Sequence, residues 1–262
     1  MSKALLALAA AIERKETAVL ATVIEVSGAA PIKPGAQLVL LADGQTAGTV
    51  VGGNLEAAVL ADAVRAQQSG QPHLAHYTLT QEGPNAIDAM CGGEVQIFLQ
   101  PHFPPPRLII VGGGHIGRPL QAMGNLLGFE VTVVDVKPER HMTADLNAVT
   151  FTPDTYVVLI TTDYAADEAA LRRVLQTPAR YIGMIGSRAK CESIRAKLTA
   201  EGCDEADPER IHAPIGLHLG GPTPAEIALA ILAEIVAVRR GTLTSQQTAI
   251  YPRNMPQEKQ DV

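Results

Sequence analysis

The fold turns on one stretch, Leu108-Ile109-Ile110-Val111-Gly112-Gly113-Gly114-His115-Ile116-Gly117. Four consecutive apolar residues without alternation suit a strand buried on both faces. The glycines that follow keep the spacing Gly-x-Gly-x-x-Gly. Gly112 permits a tight turn, Gly114 lets an anionic group approach the main chain, and Gly117 lets the next helix pack on the strand. A helix opening there aims unpaired N–H groups and the positive end of its dipole at a phosphate. The pattern carries that helix through Leu126-Leu127 to Gly128. A second strand over 131–134 ends at Asp135, near the spacing of roughly 20 residues at which an acid binds a ribose 2′-hydroxyl. That acid favours NAD over NADP, while nearby Lys137 pulls the other way.

Residues 156–160 and 181–185 are two more apolar strands, with a helix predicted over 167–176 between them. Such alternation implies a parallel sheet with helices on both faces. The last helix opens with Thr223-Pro224-Ala225-Glu226, a capping box with proline at the first helical position, and stops at Gly241. Thr161-Thr162-Asp163 and Gly186-Ser187-Arg188 follow strand ends, at the sheet edge where ligands sit in this architecture. Ser187 and Arg188 are therefore candidate phosphate contacts, the arginine by a bidentate grip. Asp163 reads as a helix cap ahead of a catalytic base. His115 reads equally as a group facing phosphates and as a solvated loop residue.

The first half is patterned differently. A helix is expected over 3–15 with Leu5, Leu8, Ala9 and Ile12 on one face. Strands follow over 18–26, 38–41 and 46–51, the last two joined by Asp43-Gly44, a hairpin signal with both positions at φ > 0. Asn54 is the expected N-cap of a helix ending before Gly70. Further strands cover 74–79 and the alternating Val95, Ile97 and Leu99. The Pro-rich run from Pro101 breaks regular structure. The expected organisation is a mixed α+β domain over 1–101, a linker over 102–106, a larger Rossmann-like parallel-sheet domain over 107–241 and a polar tail over 242–262. The class is α/β.

Two loops of the first half carry candidate chemistry. In Met90-Cys91-Gly92-Gly93 a thiol before two glycines can meet a bulky ligand, hold a soft metal or carry sulfur, or else be an inert buried thiol. Lys33, before Pro34-Gly35, and the Gly52-Gly53 pair suit an anion held by a main-chain nest, although turn chemistry alone accounts for both. His212 and His218 form a weak metal pair without an accompanying carboxylate or cysteine.

Composition narrows the classes. With 262 residues the chain makes one large or two ordinary domains, and 47% apolar content supplies their cores. A net charge of −6, no basic block and no tryptophan argue against nucleic-acid binding. Cys91, Cys191 and Cys203 show no Cys-x-x-Cys spacing, which argues against a disulfide framework and a structural zinc. No apolar run reaches the roughly 18 residues of a membrane span. The charged residues Glu13 to Glu16 spoil a signal peptide. The expectation is a soluble cytoplasmic protein, whose small domains leave apolar surface that a homodimer would cover.

The motifs together resemble the xanthine dehydrogenase accessory proteins of the XdhC/CoxI family. The resemblance runs over nearly the whole chain to about Gly241. It rests on Ser27-Gly28, Lys33-Pro34-Gly35, Gly48-Thr49, Gly52-Gly53-Asn54-Leu55-Glu56 and Met90-Cys91-Gly92-Gly93 in the first half. In the second it rests on the 112–117 turn, Tyr181-Ile182-Gly183-Met184-Ile185-Gly186-Ser187-Arg188, Pro214-Ile215-Gly216-Leu217 and Thr223-Pro224-Ala225-Glu226. It implies a chaperone that binds molybdenum cofactor, helps its sulfuration and delivers it to a molybdenum hydroxylase apoenzyme such as xanthine dehydrogenase, with a cysteine desulfurase as a further partner. It places Cys91 near the molybdenum. Thr162 stands where the family often has histidine, and His218 where aspartate is common. The residues by themselves leave two other readings. One is an NAD(P)-binding oxidoreductase or cofactor-modifying enzyme, with only His115 and Asp163 as acid–base groups. The other is a scaffold that has kept a disused dinucleotide site.

Overall fold

The computed structural model describes residues 2–50, 52–81, 86–87, 92–135, 145–201, 210–221 and 223–243. Cys91, Lys137, Cys203 and the tail past residue 243 lie outside the described residues. The chain divides into two compact units, Met1–Pro104 and Pro105–Val262.

The first unit comprises α1 (Lys3–Glu13), β1 (Ala18–Ser27), β2 (Gln37–Leu41), β3 (Thr46–Gly48), α2 (Gly53–Ser69), β4 (His73–Thr78) and β5 (Glu94–His102). Its antiparallel sheet runs β3-β2-β1-β5-β4. The two-residue period of a strand sorts β1 between two cores. Ala18 and Leu20 pack with Ala4, Leu8 and Ala11 of α1, whereas Val19, Ala21 and Val23 pack with Leu55, Val59, Ala63 and Ala66 of α2. The buried stripe of α1 thus differs from the expected one, and Ile12 is 54% exposed. Two alanines in that stripe let the helix lie close to the sheet.

Local differences from the expected elements have backbone causes. The β2–β3 hairpin has a three-residue loop: Leu41 N–H donates to the Gln45 carbonyl and Gly44 N–H to that of Leu41. Only Gly44 takes positive φ (+82°), as the longer hairpin loop requires. β3 stops at Gly48, whose φ is +84° and whose missing Cβ would lie 2.3 Å from the Gln37 carbonyl oxygen. Gly52, rather than Asn54, caps α2, and it does so without a side chain. β5 continues through Pro101 to His102 against Val19 and Ala18. Pairing with β4 has already ended at Leu99, and a proline is tolerated on such an unflanked stretch.

The second unit comprises β6 (Arg107–Val111), α3 (Gly117–Leu126), β7 (Glu130–Val134), β8 (Thr155–Leu159), α4 (Tyr164–Leu175), β9 (Tyr181–Met184), α5 (Arg188–Ala200), β10 (Ile211–His212) and α6 (Pro224–Arg240). The strands are parallel in the order β10-β9-β8-β6-β7. Leu120 of α3 and Ile231 and Ile235 of α6 bury Ile110, Tyr156 and Val158 on one face. Leu171 and Val174 of α4 and Ile194 and Leu198 of α5 bury Ile109, Val157 and Ile182 on the other. This is a Rossmann-like, doubly wound layer structure. α4 begins ahead of the expected position because the Asp163 carboxylate caps it, accepting from Ala165 N–H at 3.1 Å. α6 has the expected capping box at Thr223 and ends at left-handed Gly241. The chain passes from β6 out to β7, then returns to β8 on the other flank. The carboxyl edge between β6 and β8 is therefore the topological switch point, the preferred ligand crevice of such sheets.

In the first unit, Gly93 sits at φ +102°, and a Cβ there would lie 2.5 Å from the Ser27 carbonyl oxygen. Gly35 is also left-handed (φ +86°) but has nothing within 4 Å of that position. Gly35→Ala should therefore cost about 1 kcal/mol from backbone strain alone. Gly93→Ala should cost roughly 3 kcal/mol, since strain and overlap add. Urea unfolding of the two variants checks this, and equal losses would refute the close packing of the 27–30 and 92–93 segments.

Candidate functional site

The glycine turn is fixed from beneath by main-chain contacts. Gly112 N–H donates to the Val134 carbonyl at 2.9 Å. Gly112 has φ +120°, and a Cβ on it would stand 2.6 Å from the Ile160 carbonyl oxygen. A Cβ on Gly117 would stand 2.2 Å from the Gly112 carbonyl oxygen. Any side chain at either position would push the turn off the sheet. Gly113 N–H donates to Asp135 Oδ2 at 2.8 Å, both residues being buried. The acid expected at a ribose hydroxyl thus spends one oxygen bracing the turn. Gly114 is half-buried and its carbonyl accepts from Arg118 N–H. The N–H groups of Gly114, His115 and Ile116 meet no acceptor among the described residues, and α3 has no side-chain cap. His115 is exposed. The turn accordingly offers unclaimed main-chain donors at a helix start, the setting in which an anion is held without a cationic side chain.

The neighbouring loops carry a buried charge network. Asp167, in the first turn of α4, is fully buried. Its Oδ1 accepts from the Thr161 hydroxyl at 2.6 Å and from Thr161 N–H at 3.2 Å. Its Oδ2 accepts from Lys190 Nζ of α5 at 2.6 Å. Ser187 Oγ accepts from Lys190 N–H at 3.2 Å, and Ser187 and Arg188 are exposed at the start of α5. A second network lies behind the loop after β10. Glu234, 3% exposed, accepts from the Tyr181 hydroxyl at 2.6 Å and from Gly216 N–H at 2.9 Å. His212 Nδ1 lies 3.0 Å from the same carboxylate, with its ring stacked on Tyr181. Burial first, and the Glu234 carboxylate second, push the Tyr181 hydroxyl well above its ordinary range, so it stays a donor. His212 is thus part of a core network with Tyr181 and Glu234. No group of three metal-ligating side chains occurs among the described residues.

The model of the XdhC Rossmann domain matches residues 108–235, and that of the XdhC and CoxI family matches residues 11–78. The chain belongs to the XdhC and CoxI family. Among curated relatives, YqeB, an uncharacterized protein of Escherichia coli K12, is 31% identical over 84% of this chain and 43% of its own length. A probable xanthine dehydrogenase subunit of Bacillus subtilis 168 is 30% identical over 55% of this chain and 46% of its own. The chain thus spans less than half the length of these two relatives. The molybdenum cofactor insertion chaperone PaoD of Escherichia coli K12 is 27% identical over 85% of this chain and 83% of its own. A crystal structure of a xanthine dehydrogenase from Bacillus halodurans overlays with a TM-score of 0.48 at 21% identity, covering 96% of this chain and 98% of that one.

In this family member the expected site residues fall into two sets, one per unit. Gly112, Gly114, His115, Gly117, Asp135, Ser187 and Arg188 gather at the carboxyl edge of the parallel sheet. Lys33, Gly52, Gly53, Gly92 and Gly93 gather at one edge of the antiparallel sheet, where β1 and β3 end and β2 and β5 begin. Lys33 is exposed on a turn closed by Ala36 N–H and the Lys33 carbonyl, with Pro34 and left-handed Gly35 at its centre. That is the chemistry of a type II turn. Gly52 and Gly53 have open space where Cβ atoms would stand. The adjoining loop is held by Glu56, which accepts from the Thr49 hydroxyl at 2.6 Å. Gly93 is needed for backbone packing, whereas Gly92 faces open space. Asp167, Lys190 and Glu234 carry no sequence signal of their roles. An acid in the first helical turn reads as a dipole complement, and the partners sit on other elements.

Tyr181 gives a pH test. Its folded pKa lies above the unfolded value near 10, so folded molecules keep a proton that unfolded ones release. Its contribution is complete below about pH 10 and declines above it, by about 1.4 kcal/mol per pH unit for one proton. Tyr181→Phe should flatten the alkaline fall of stability measured by urea unfolding between pH 9 and about 11. An unchanged slope would show that the hydroxyl ionises freely in the folded chain.

Proposed function

We propose that this chain binds molybdenum cofactor as cargo and hands it to the apoenzyme of a molybdenum hydroxylase. Kinship with PaoD along both units carries the reading, because that relative is named an insertion chaperone and most of its length is shared. The chemistry of the second unit supports it. A molybdopterin is a phosphate-bearing ligand, and the 114–116 N–H groups are donors suited to phosphate oxygens. Ser187 and Arg188 extend the same edge with a hydroxyl and a guanidinium. Cys91 is the proposed neighbour of the molybdenum, since a thiolate suits a soft, sulfur-ligated metal. In the finer form of the proposal the chain holds the cofactor while a cysteine desulfurase supplies sulfur to it. The chain's own residues bind, orient and shield, and turn over nothing.

Anaerobic titration of the full chain with molybdopterin, and separately with NAD, tests the proposal. Saturable molybdopterin binding is expected. Gly114→Val should weaken it by roughly a hundredfold, a loss of nearly 3 kcal/mol, by filling the space a phosphate needs. Cys91→Ala should weaken it only when molybdenum is present. Binding of NAD alone would replace the proposal with a nicotinamide-dependent oxidoreductase. Silence toward both would leave a protein-binding scaffold.

A further inference from the structure

We infer that Asp167 is a positioning residue that joins the glycine turn to the Ser187–Arg188 rim, so that one buried carboxylate sets the width of the crevice between them. The inference deepens the binding role proposed above and rests on it. Three links compose the connection. Gly112 is pressed against the Ile160 carbonyl, with a would-be Cβ only 3.2 Å from Thr161 nitrogen, so the turn sits on the 160–161 peptide. That peptide is tethered through both Thr161 N–H and its hydroxyl to Asp167 Oδ1. Asp167 Oδ2 holds Lys190, whose own N–H is tied to Ser187 Oγ. Lys190 also passes closely over Gly186, where a Cβ would come within 2.9 Å of its Cδ. The loops after β6, β8 and β9 therefore share one continuous set of contacts.

The arrangement exceeds what stability asks of it. A carboxylate wholly out of water is costly unless its charge is paired and its lone pairs are filled. An apolar residue in the first turn of α4 would bury there without that demand. Asp167 is useful instead because a charge-assisted network is directional, holding its partners at set distances where apolar packing would let them slide. The Lys190 side chain is 24% exposed and that of Asp167 0%, so the pair joins a buried acid to a lysine that reaches solvent.

Asp167→Asn weakens both tethers. Its neutral amide oxygen accepts from Thr161 without the charge that strengthens that bond, and its NH2 would face the Lys190 ammonium, donor against donor, and release the lysine. Hydrogen exchange on the full chain without cargo gives the first readout. Exchange should accelerate at the hydrogen-bonded amides of Lys190 and Cys191 and also at those of Gly112 and Gly113, on a different loop. Lys190→Met should do the same, and it serves if the asparagine variant folds poorly. Acceleration confined to residues 161–167 would overturn the inference. The second readout is molybdopterin affinity, expected to fall roughly tenfold in folded Asp167→Asn, with Asp167→Glu recovering part of it. Wild-type affinity in a folded variant would also overturn the inference. A wild-type chain that binds no molybdopterin would refute the cargo role itself. The exchange readout decides the positioning role without it.

Discussion

The second unit depends on a main-chain contact that admits no side chain. Gly112 meets the Ile160 carbonyl, Gly117 meets Gly112, and Gly113 N–H is taken by a buried aspartate. Together these lock the β6–α3 turn against the ends of β7 and β8. What the lock leaves without an acceptor among the described residues is the useful part, a short run of N–H groups at the start of a helix. A phosphate recognised there is held by preorganised dipoles that need no rearrangement on binding. Asp135 shows how this economy works. A residue type expected to read a sugar also has the geometry to stiffen the turn, and its buried oxygen is used for that.

The buried acids extend the same logic. Asp167 links the loops after β8 and β9, and Glu234 fastens the loop after β10 through Gly216. Every loop at that edge with described residues, other than the short segment at Asp135, is thus tied down by a carboxylate or by backbone overlap. In the first unit, glycine does comparable work at Gly28 and Gly93, where two segments touch through their main chains at 2.7 Å from a would-be Cβ. Such construction suits a protein that presents a preorganised surface to a ligand.

Much of this is legible in the residues because it is local. A continuous apolar strand, three spaced glycines and a terminal acid specify a βαβ unit. The Thr223 capping box and the Asp163 cap are equally short-range. The departures share a cause, which is that partners distant in sequence decide them. The largest apolar residues of α1 predict one stripe, but packing against a covered sheet selects Ala4, Leu8 and Ala11. Asp43-Gly44 predicts a two-residue hairpin, but pairing of Leu41 with Gln45 lengthens the loop. Asp167 meets Thr161 six positions away, but its pairing with Lys190 and the contacts of Glu234 with Tyr181, Gly216 and His212 join residues 18 to 53 positions apart. No spacing rule reaches that far.

The central claim is that cargo meets the carboxyl edge of the parallel sheet. Amide chemical-shift mapping of the full chain on adding molybdopterin addresses it most directly. The account predicts shifts centred on residues 113–117, 161 and 186–190. Shifts confined to residues of the Met1–Pro104 unit, with the glycine turn unmoved, would contradict it.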